Sequence, residues 1–102
     1  MTKIVRNPQR CPIHPGALLR DIVFPALEIS KVQMAQDLGI SRQTLYDILS
    51  EKQPVTSQMA VRIGKLLGNS PEVWLNMQAA YDLWHAKRDT DISNIPTLEA
   101  AH

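Results

Sequence analysis

A short polar run, Ser41-Arg42-Gln43-Thr44, carries side chains that could form paired hydrogen bonds with the edges of nucleic-acid bases. An arginine can donate two bonds to O6 and N7 of guanine, and a glutamine can pair with N6 and N7 of adenine. Thr44 could contact a thymine methyl group or a phosphate. Asp47, one helical turn later, could accept from N4 of cytosine or orient Arg42. These five residues are therefore candidates for contacts with DNA bases.

Such side chains need a helix that enters the major groove, and residues 31–50 have the pattern of a helix-turn-helix. Ala35 is small at the place where the second helix must pack, and Gly39 accepts the positive φ that the turn requires. Ser30 and Ser41 are expected to cap the two helices. The apolar positions of the motif are Met34, Leu38, Ile40, Leu45 and Ile48.

Four polar residues beside this predicted recognition helix are candidates for phosphate contacts: Lys31, Gln33, Tyr46 and Lys52. Lys31 opens the first helix of the motif, where a cation and free backbone amides together suit a phosphate. Gln33 also completes a capping box, in which its side chain reaches back to residue 30. Lys52 could contact the phosphates on the other side of the groove. The alternative is that these residues are ordinary solvated side chains of a helical hairpin.

Composition and periodicity predict one all-α domain. The chain has 102 residues, of which 44% are hydrophobic, and few glycines. We expect an extended N-terminal arm at residues 1–13, a helical domain at 14–88 whose last helix spans about 71–87, and a flexible tail at 89–102. Pro25 is expected to stop or kink the first helix. No apolar run approaches the roughly 20 residues that span a bilayer, so we expect no membrane partner.

Other chemistry has little support in the sequence. Cys11 and His14 have ligand-like spacing, but only His85 and His102 remain as nitrogen donors, so we expect neither a metal nor another cofactor. We find no nucleophile with a partner base and no glycine-rich phosphate loop, and we predict that the protein is not an enzyme. A single cysteine and the absence of an apolar leader favour the cytoplasm.

Net charge is only +1, but its distribution is uneven. Before Asp21 the charged residues are all basic, whereas from Asp89 onward they are all acidic. A basic start could place a positive face on DNA, or both ends could simply be solvated.

The last predicted helix could form the contact between two copies of the chain. One module of this size buries little surface on DNA, so such proteins usually bind palindromic sites as dimers. An apolar stripe on this helix has the spacing 3, 4 and 3 and consists of Trp74, Met77, Tyr81 and Trp84. Each of these residues could cover the core or form a two-fold seam.

Two segments carry a resemblance to one family. The first is HPGALLRDIVFPALEIS, which leads into the helix-turn-helix, and the second runs from Val55 to Lys87. Within the second, SPEVWLNMQAAYDLW is the more diagnostic. Together they resemble the HigA-type antitoxins of bacterial host-inhibition-of-growth toxin–antitoxin modules, within the lambda-repressor-like helix-turn-helix class. The resemblance covers about residues 13–88.

The resemblance implies a five-helix homodimer that represses its own operon at a palindromic operator and neutralises a small ribonuclease toxin that cleaves messenger RNA. The family's Asn-Gly-Lys type turn after the recognition helix is here Ser50-Glu51-Lys52, without glycine. Two alternatives remain: a stand-alone repressor with no toxin partner, and an interaction domain that has lost DNA binding. By the resemblance, dimerisation maps to Trp74, Met77, Gln78, Tyr81 and Trp84.

Overall fold

The computed structural model describes residues 10–99, and within this range the chain forms five helical segments and no β-strand, which confirms the all-α prediction. None of these helices is long and apolar enough to cross a membrane. The predicted arm and tail lie partly outside the described range, and their flexibility stays a prediction. The segments are α1 (Pro15–Leu18, Leu19–Val23 and Phe24–Leu27 in succession), α2 (Lys31–Leu38), α3 (Arg42–Leu49), α4 (Ser57–Leu67) and α5 (Pro71–Asp89).

Helix α1 does not stop at Pro25 but continues to Leu27. Its middle part, Leu19–Val23, is a π turn in which the N–H of Phe24 donates to the carbonyl of Leu19, five residues earlier. In a regular α-helix the ring of Pro25 would collide with the carbonyl four residues earlier. The wider π turn relieves that collision, so the expected stop at Pro25 was wrong.

The predicted caps set the starts of the two central helices. The Oγ of Ser30 accepts the N–H of Gln33 at 3.1 Å, and the Oγ of Ser41 accepts the N–H of Thr44 at 3.0 Å. Gly39 has the predicted positive φ of 72°. The capping box is only half formed, because the side chain of Gln33 donates forward to Asp37 at 2.8 Å instead of reaching back.

The core lies between the helix-turn-helix and the flanking helices α1, α4 and α5. Helix α1 approaches the end of α3 closely: a Cβ placed on Gly16 would be 1.9 Å from the carbonyl oxygen of Ile48. Only a glycine permits this approach. The buried apolar side chains are Leu19, Phe24, Met34, Ala35, Leu38, Leu45, Ile48, Leu49, Val55, Met59, Ala60, Ile63 and Trp74.

Two residues assigned to the dimer seam are instead buried within the single chain. Trp74 is 2% exposed, and its Nε1 donates to Oδ1 of Asn69 at 2.8 Å. Gln78 is 5% exposed and bonds the backbone of Val55. A side chain covered by its own chain offers no surface to a second copy, so the core alternative holds for Trp74, and Gln78 has a structural role within one chain.

Candidate nucleic-acid interface

Helix α3 has one buried face and one polar face. Leu45, Ile48 and Leu49 point into the core. The opposite face begins with Ser41, directly before the helix, and the structure brings together on it all five residues predicted to contact bases. Arg42 and Gln43 are exposed, whereas Thr44 and Asp47 are half-buried. The first turn of α3 therefore exposes Arg42 and Gln43 to solvent, and these are the side chains with the most hydrogen-bonding groups. A helix that enters the major groove needs this arrangement.

Hydrogen bonds on this polar face hold some side chains and leave one free. Gln43 donates from Nε2 to Oδ1 of Asp47 at 2.8 Å, so Asp47 orients Gln43 and not Arg42 as one interpretation had it. The hydroxyl of Ser41 donates to Oγ1 of Thr44 at 2.8 Å. Within residues 10–99, Arg42 has no hydrogen-bond or ion-pair partner, and its five N–H groups are available to a ligand.

A shallow basic depression lies beside the recognition helix. The side chains of Lys31 and Lys52 line it, as does Arg20 from α1, together with Gln43, Tyr46 and Asp47. The Nζ of Lys31 lies 5.6 Å from the ring centroid of Tyr46, within the range of a cation–π contact. Gln33 is exposed on α2 but is bonded to Asp37. Three of the four predicted phosphate contacts therefore share one surface with an added cation.

Arg20 was not among the predicted interface residues. Its guanidinium group reaches from α1 to the end of α3, where Nη1 donates to the carbonyl of Leu49 at 2.9 Å. A hydrogen bond to the carboxylate of Asp21 raises the pKa of Arg20. The sequence held only a weak signal for this role, a basic residue among others near the N-terminus, because the contact joins residues 29 positions apart.

The turn after α3 keeps a glycine-type geometry without a glycine. Glu51 has a left-handed φ of 65°. Its N–H donates to the carbonyl of Ile48 at 3.1 Å, and the N–H of Lys52 donates to that of Asp47 at 2.8 Å. These two bonds form a Schellman motif, in which the left-handed position is usually glycine. The absence of glycine thus leaves the turn that places Lys52 intact.

The comparisons with known proteins agree with this geometry. A helix-turn-helix family model matches residues 26–74. Virulence-associated protein I of Dichelobacter nodosus is 35% identical over 83 residues, which are 81% of this chain and 77% of that protein. Antitoxin HigA-1 of Vibrio cholerae serotype O1 is 30% identical over 83 residues, which are 81% of this chain and 78% of HigA-1.

This chain belongs to the HigA-type antitoxin family. The structure of antitoxin GraA in complex with its operator has the same fold, with a TM-score of 0.82 at 34% identity, and the match covers 96% of this chain and 100% of GraA. The family and fold predicted from the sequence are thereby confirmed.

The last helix of this HigA-type chain keeps part of the predicted seam at its surface. Met77, Tyr81 and Trp84 are half-buried. Tyr81 packs edge-on against His14 at 4.9 Å between ring centroids, and the guanidinium carbon of Arg88 lies 3.7 Å from the ring centroid of Trp84. These three residues therefore remain available in part to a second copy, and their role in dimerisation stays a prediction.

The ligand-like pair Cys11 and His14 has other partners. His14 is buried, and its Nδ1 accepts the N–H of Gly16 at 2.9 Å, so its proton lies on Nε2. Burial lowers the pKa of His14, which favours the neutral ring. The Sγ of Cys11 lies 3.5 Å from Nε2 of His85. Across residues 10–99, no group of three or more His, Cys, Asp or Glu residues is placed to hold a metal ion.

Proposed function

We propose that this protein is a DNA-binding antitoxin of the bacterial cytoplasm, which represses its own toxin–antitoxin operon as a homodimer and neutralises a ribonuclease toxin that cleaves messenger RNA. The observation that carries the DNA-binding part is the exposed first turn of α3, where Arg42 has no partner within residues 10–99 and Gln43 shares a depression with Lys31 and Lys52. The operator complex of GraA, which has the same fold, supports this proposal. The likeness to antitoxin HigA-1 supports the toxin-neutralising part.

In this proposal α3 lies in the major groove with its N-terminal turn against the bases. Arg42 donates to O6 and N7 of guanine, and Gln43, held by Asp47, pairs with adenine. Lys31 and Lys52, which line the same depression beside α3, neutralise phosphates, and these contacts fix the register without carrying sequence information.

A palindromic operator requires two copies of α3 related by two-fold symmetry. On α5 the residues Val73, Met77, Ala80 and Trp84 follow one another at spacings of 4, 3 and 4, which is the repeat of a helix–helix seam. Val73 is 47% exposed, and the other three are half-buried. We assign the seam to this stripe, which includes Met77 and Trp84 from the predicted set and lies beside the core face that holds Trp74.

The DNA-binding part is tested with the promoter of the protein's own operon in fluorescence anisotropy titrations between about 50 and 200 mM salt. Arg42→Ala should lose about 1–3 kcal/mol of binding free energy and relax specificity at one base position. Lys65→Ala is the matched control, since Lys65 is an exposed cation on α4. An equal loss in both variants would mean that net charge alone determines the binding, and no binding by the unaltered protein would exclude a regulator.

The antitoxin part is tested by co-expression with a small basic reading frame encoded beside the gene. Growth should stop when that frame is expressed alone and resume when the antitoxin is present. Arg42→Ala should lose repression and keep growth rescue, because it alters only the DNA face. Repression without any toxic neighbour would favour the stand-alone repressor.

A further inference from the structure

The segment that follows the recognition helix, residues 49–55, is anchored at both of its ends by side chains from distant helices. This exit segment carries Lys52, which is exposed. Its own amides fold back on α3: the N–H groups of Lys52 and Gln53 both donate to the carbonyl of Asp47, at 2.8 and 3.1 Å. The turn is left-handed at Glu51, a conformation that is strained for a residue other than glycine. Surrounding contacts must therefore hold it in place.

Arg20 holds the first end. The last four carbonyls of a helix lack partners within the helix, and here Ser50, Lys52 and Glu51 supply backbone N–H groups to three of them. The fourth, that of Leu49, accepts Nη1 of Arg20 at 2.9 Å. The same Nη1 also donates to Oε2 of Glu51 at 3.4 Å.

Two bonds to Asp21, at 2.8 and 2.9 Å, orient the guanidinium plane of Arg20. Four of its five N–H groups are thus used within the chain. Arg20 therefore links α1 to the end of α3 and has few N–H groups left to donate to a phosphate.

Gln78 holds the second end from α5. Its Oε1 accepts the N–H of Val55 at 2.8 Å, and its Nε2 donates to Oδ1 of Asp82 at 2.9 Å. Val55 is 1% exposed, so its N–H cannot turn to water if Gln78 is lost. The bond to Asp82 fixes which end of the Gln78 amide faces Val55, because a carboxylate accepts and does not donate.

We propose that Arg20 and Gln78 are positioning residues for DNA binding, which together fix the exit segment so that Lys52 meets a phosphate. The inference rests on the proposed function, since it requires Lys52 to contact DNA. It assigns to Gln78 a role in the DNA-binding surface in place of one in the dimer seam. A residue that acts only through Lys52 must lose its effect when Lys52 is absent.

The test is a pair of double-mutant cycles on operator DNA, with the full chain, at several salt concentrations. Lys52→Ala should weaken binding about tenfold and reduce the slope of log K against log salt by about 1.8, the value for two phosphates, one for each subunit of the dimer. Gln78→Met has a similar length but cannot accept from Val55, and it should produce the same loss and the same change in slope. In the Lys52→Ala background it should add nothing.

For Arg20 the informative variant is Arg20→Lys, which keeps the charge but lacks the planar fork. It should behave as Gln78→Met does, both alone and with Lys52→Ala. Circular dichroism and sedimentation identify variants that fail to fold or dimerise. If Gln78→Met does so, Asp82→Ala replaces it, because it removes the bond that orients the Gln78 amide toward Val55 and should lower the Lys52 contribution.

Losses that multiply in the double mutants would overturn the proposal, because each residue would then act independently of Lys52. So would full binding by Arg20→Lys, which would show that charge alone matters, or an unchanged affinity in Lys52→Ala, which would leave nothing to position. A failure of the proposed function differs from all of these, since the unaltered protein would then not bind the operator.

Discussion

Replacement of Gly16 by alanine tests the contact between α1 and the recognition helix. In the first turn of a helix such a change ordinarily stabilises a protein, since glycine costs about 0.5–1 kcal/mol relative to alanine in a helix. Here the added Cβ would lie 1.9 Å from the carbonyl oxygen of Ile48 and 2.9 Å from its carbonyl carbon. Both atoms belong to the backbone, so no side-chain rotation can relieve the overlap.

The sign of the effect follows from comparing the two contributions. Overpacking of a well-filled interior costs about 1–3 kcal/mol, and a backbone–backbone overlap belongs at the upper end of that range. After the helical gain is subtracted, Gly16→Ala should lower the free energy of unfolding by about 2 kcal/mol. For a domain of this size the loss corresponds to roughly 8–16 °C in Tm. To make room for the added methyl group, α3 must move away from α1, so operator affinity should fall as well.

Urea denaturation followed by circular dichroism measures the first effect, and anisotropy on operator DNA measures the second. Gly68→Ala is the control: Gly68 has a φ of 72°, and a Cβ there would meet nothing within 4 Å. It should cost about 1–2 kcal/mol through backbone strain and leave DNA binding unchanged. The reasoning is refuted if Gly16→Ala is as stable as the unaltered protein, because the close approach to Ile48 would then not exist.

Three further outcomes are expected. Stability in urea should fall as pH drops below about 6.5, because burial lowers the pKa of His14 in the folded chain and the unfolded chain therefore takes up the proton first. His14→Asn, which retains a helix cap, should reduce this pH dependence. Glu51→Gly should be more stable than Glu51→Ala by about 1 kcal/mol in the same assay, since both lose the carboxylate but only glycine relieves the left-handed φ, and equal stabilities would contradict the strain. Val73→Glu should dissociate the dimer in sedimentation whereas Leu83→Glu, a similarly exposed site on another face of α5, should not; the opposite result would move the seam to that face.

Local chemistry explains why so much of the fold could be predicted. Ser30 and Ser41 cap helices because their side chains lie within three residues of the amides they satisfy. Gly39 has the left-handed φ that the turn requires of it. Each of these local conformations depends on residues nearby in the chain, so the sequence is sufficient to predict it.

The errors arose where distant parts of the chain decide the outcome. Whether Trp74 faces the core or a second copy depends on where α4 lies, and the stripe spacing is the same in both cases. Arg20 acts at Leu49, and Gln78 acts at Val55, contacts that leave no periodic signal. Pro25 is the exception, a local error: its effect depends on whether the preceding turn can widen, which residue preferences do not reveal.

Arg42 has no partner within the described part of the chain, and Gln43 bonds only Asp47 there. Folding therefore places little demand on these two positions. Substitutions there can change which operator is bound while the core, the caps and the exit segment stay as they are. A bacterium that carries several modules of this family could thus keep their promoters separate through one or two substitutions in α3, and new specificities could arise by gene duplication without an intermediate that fails to fold.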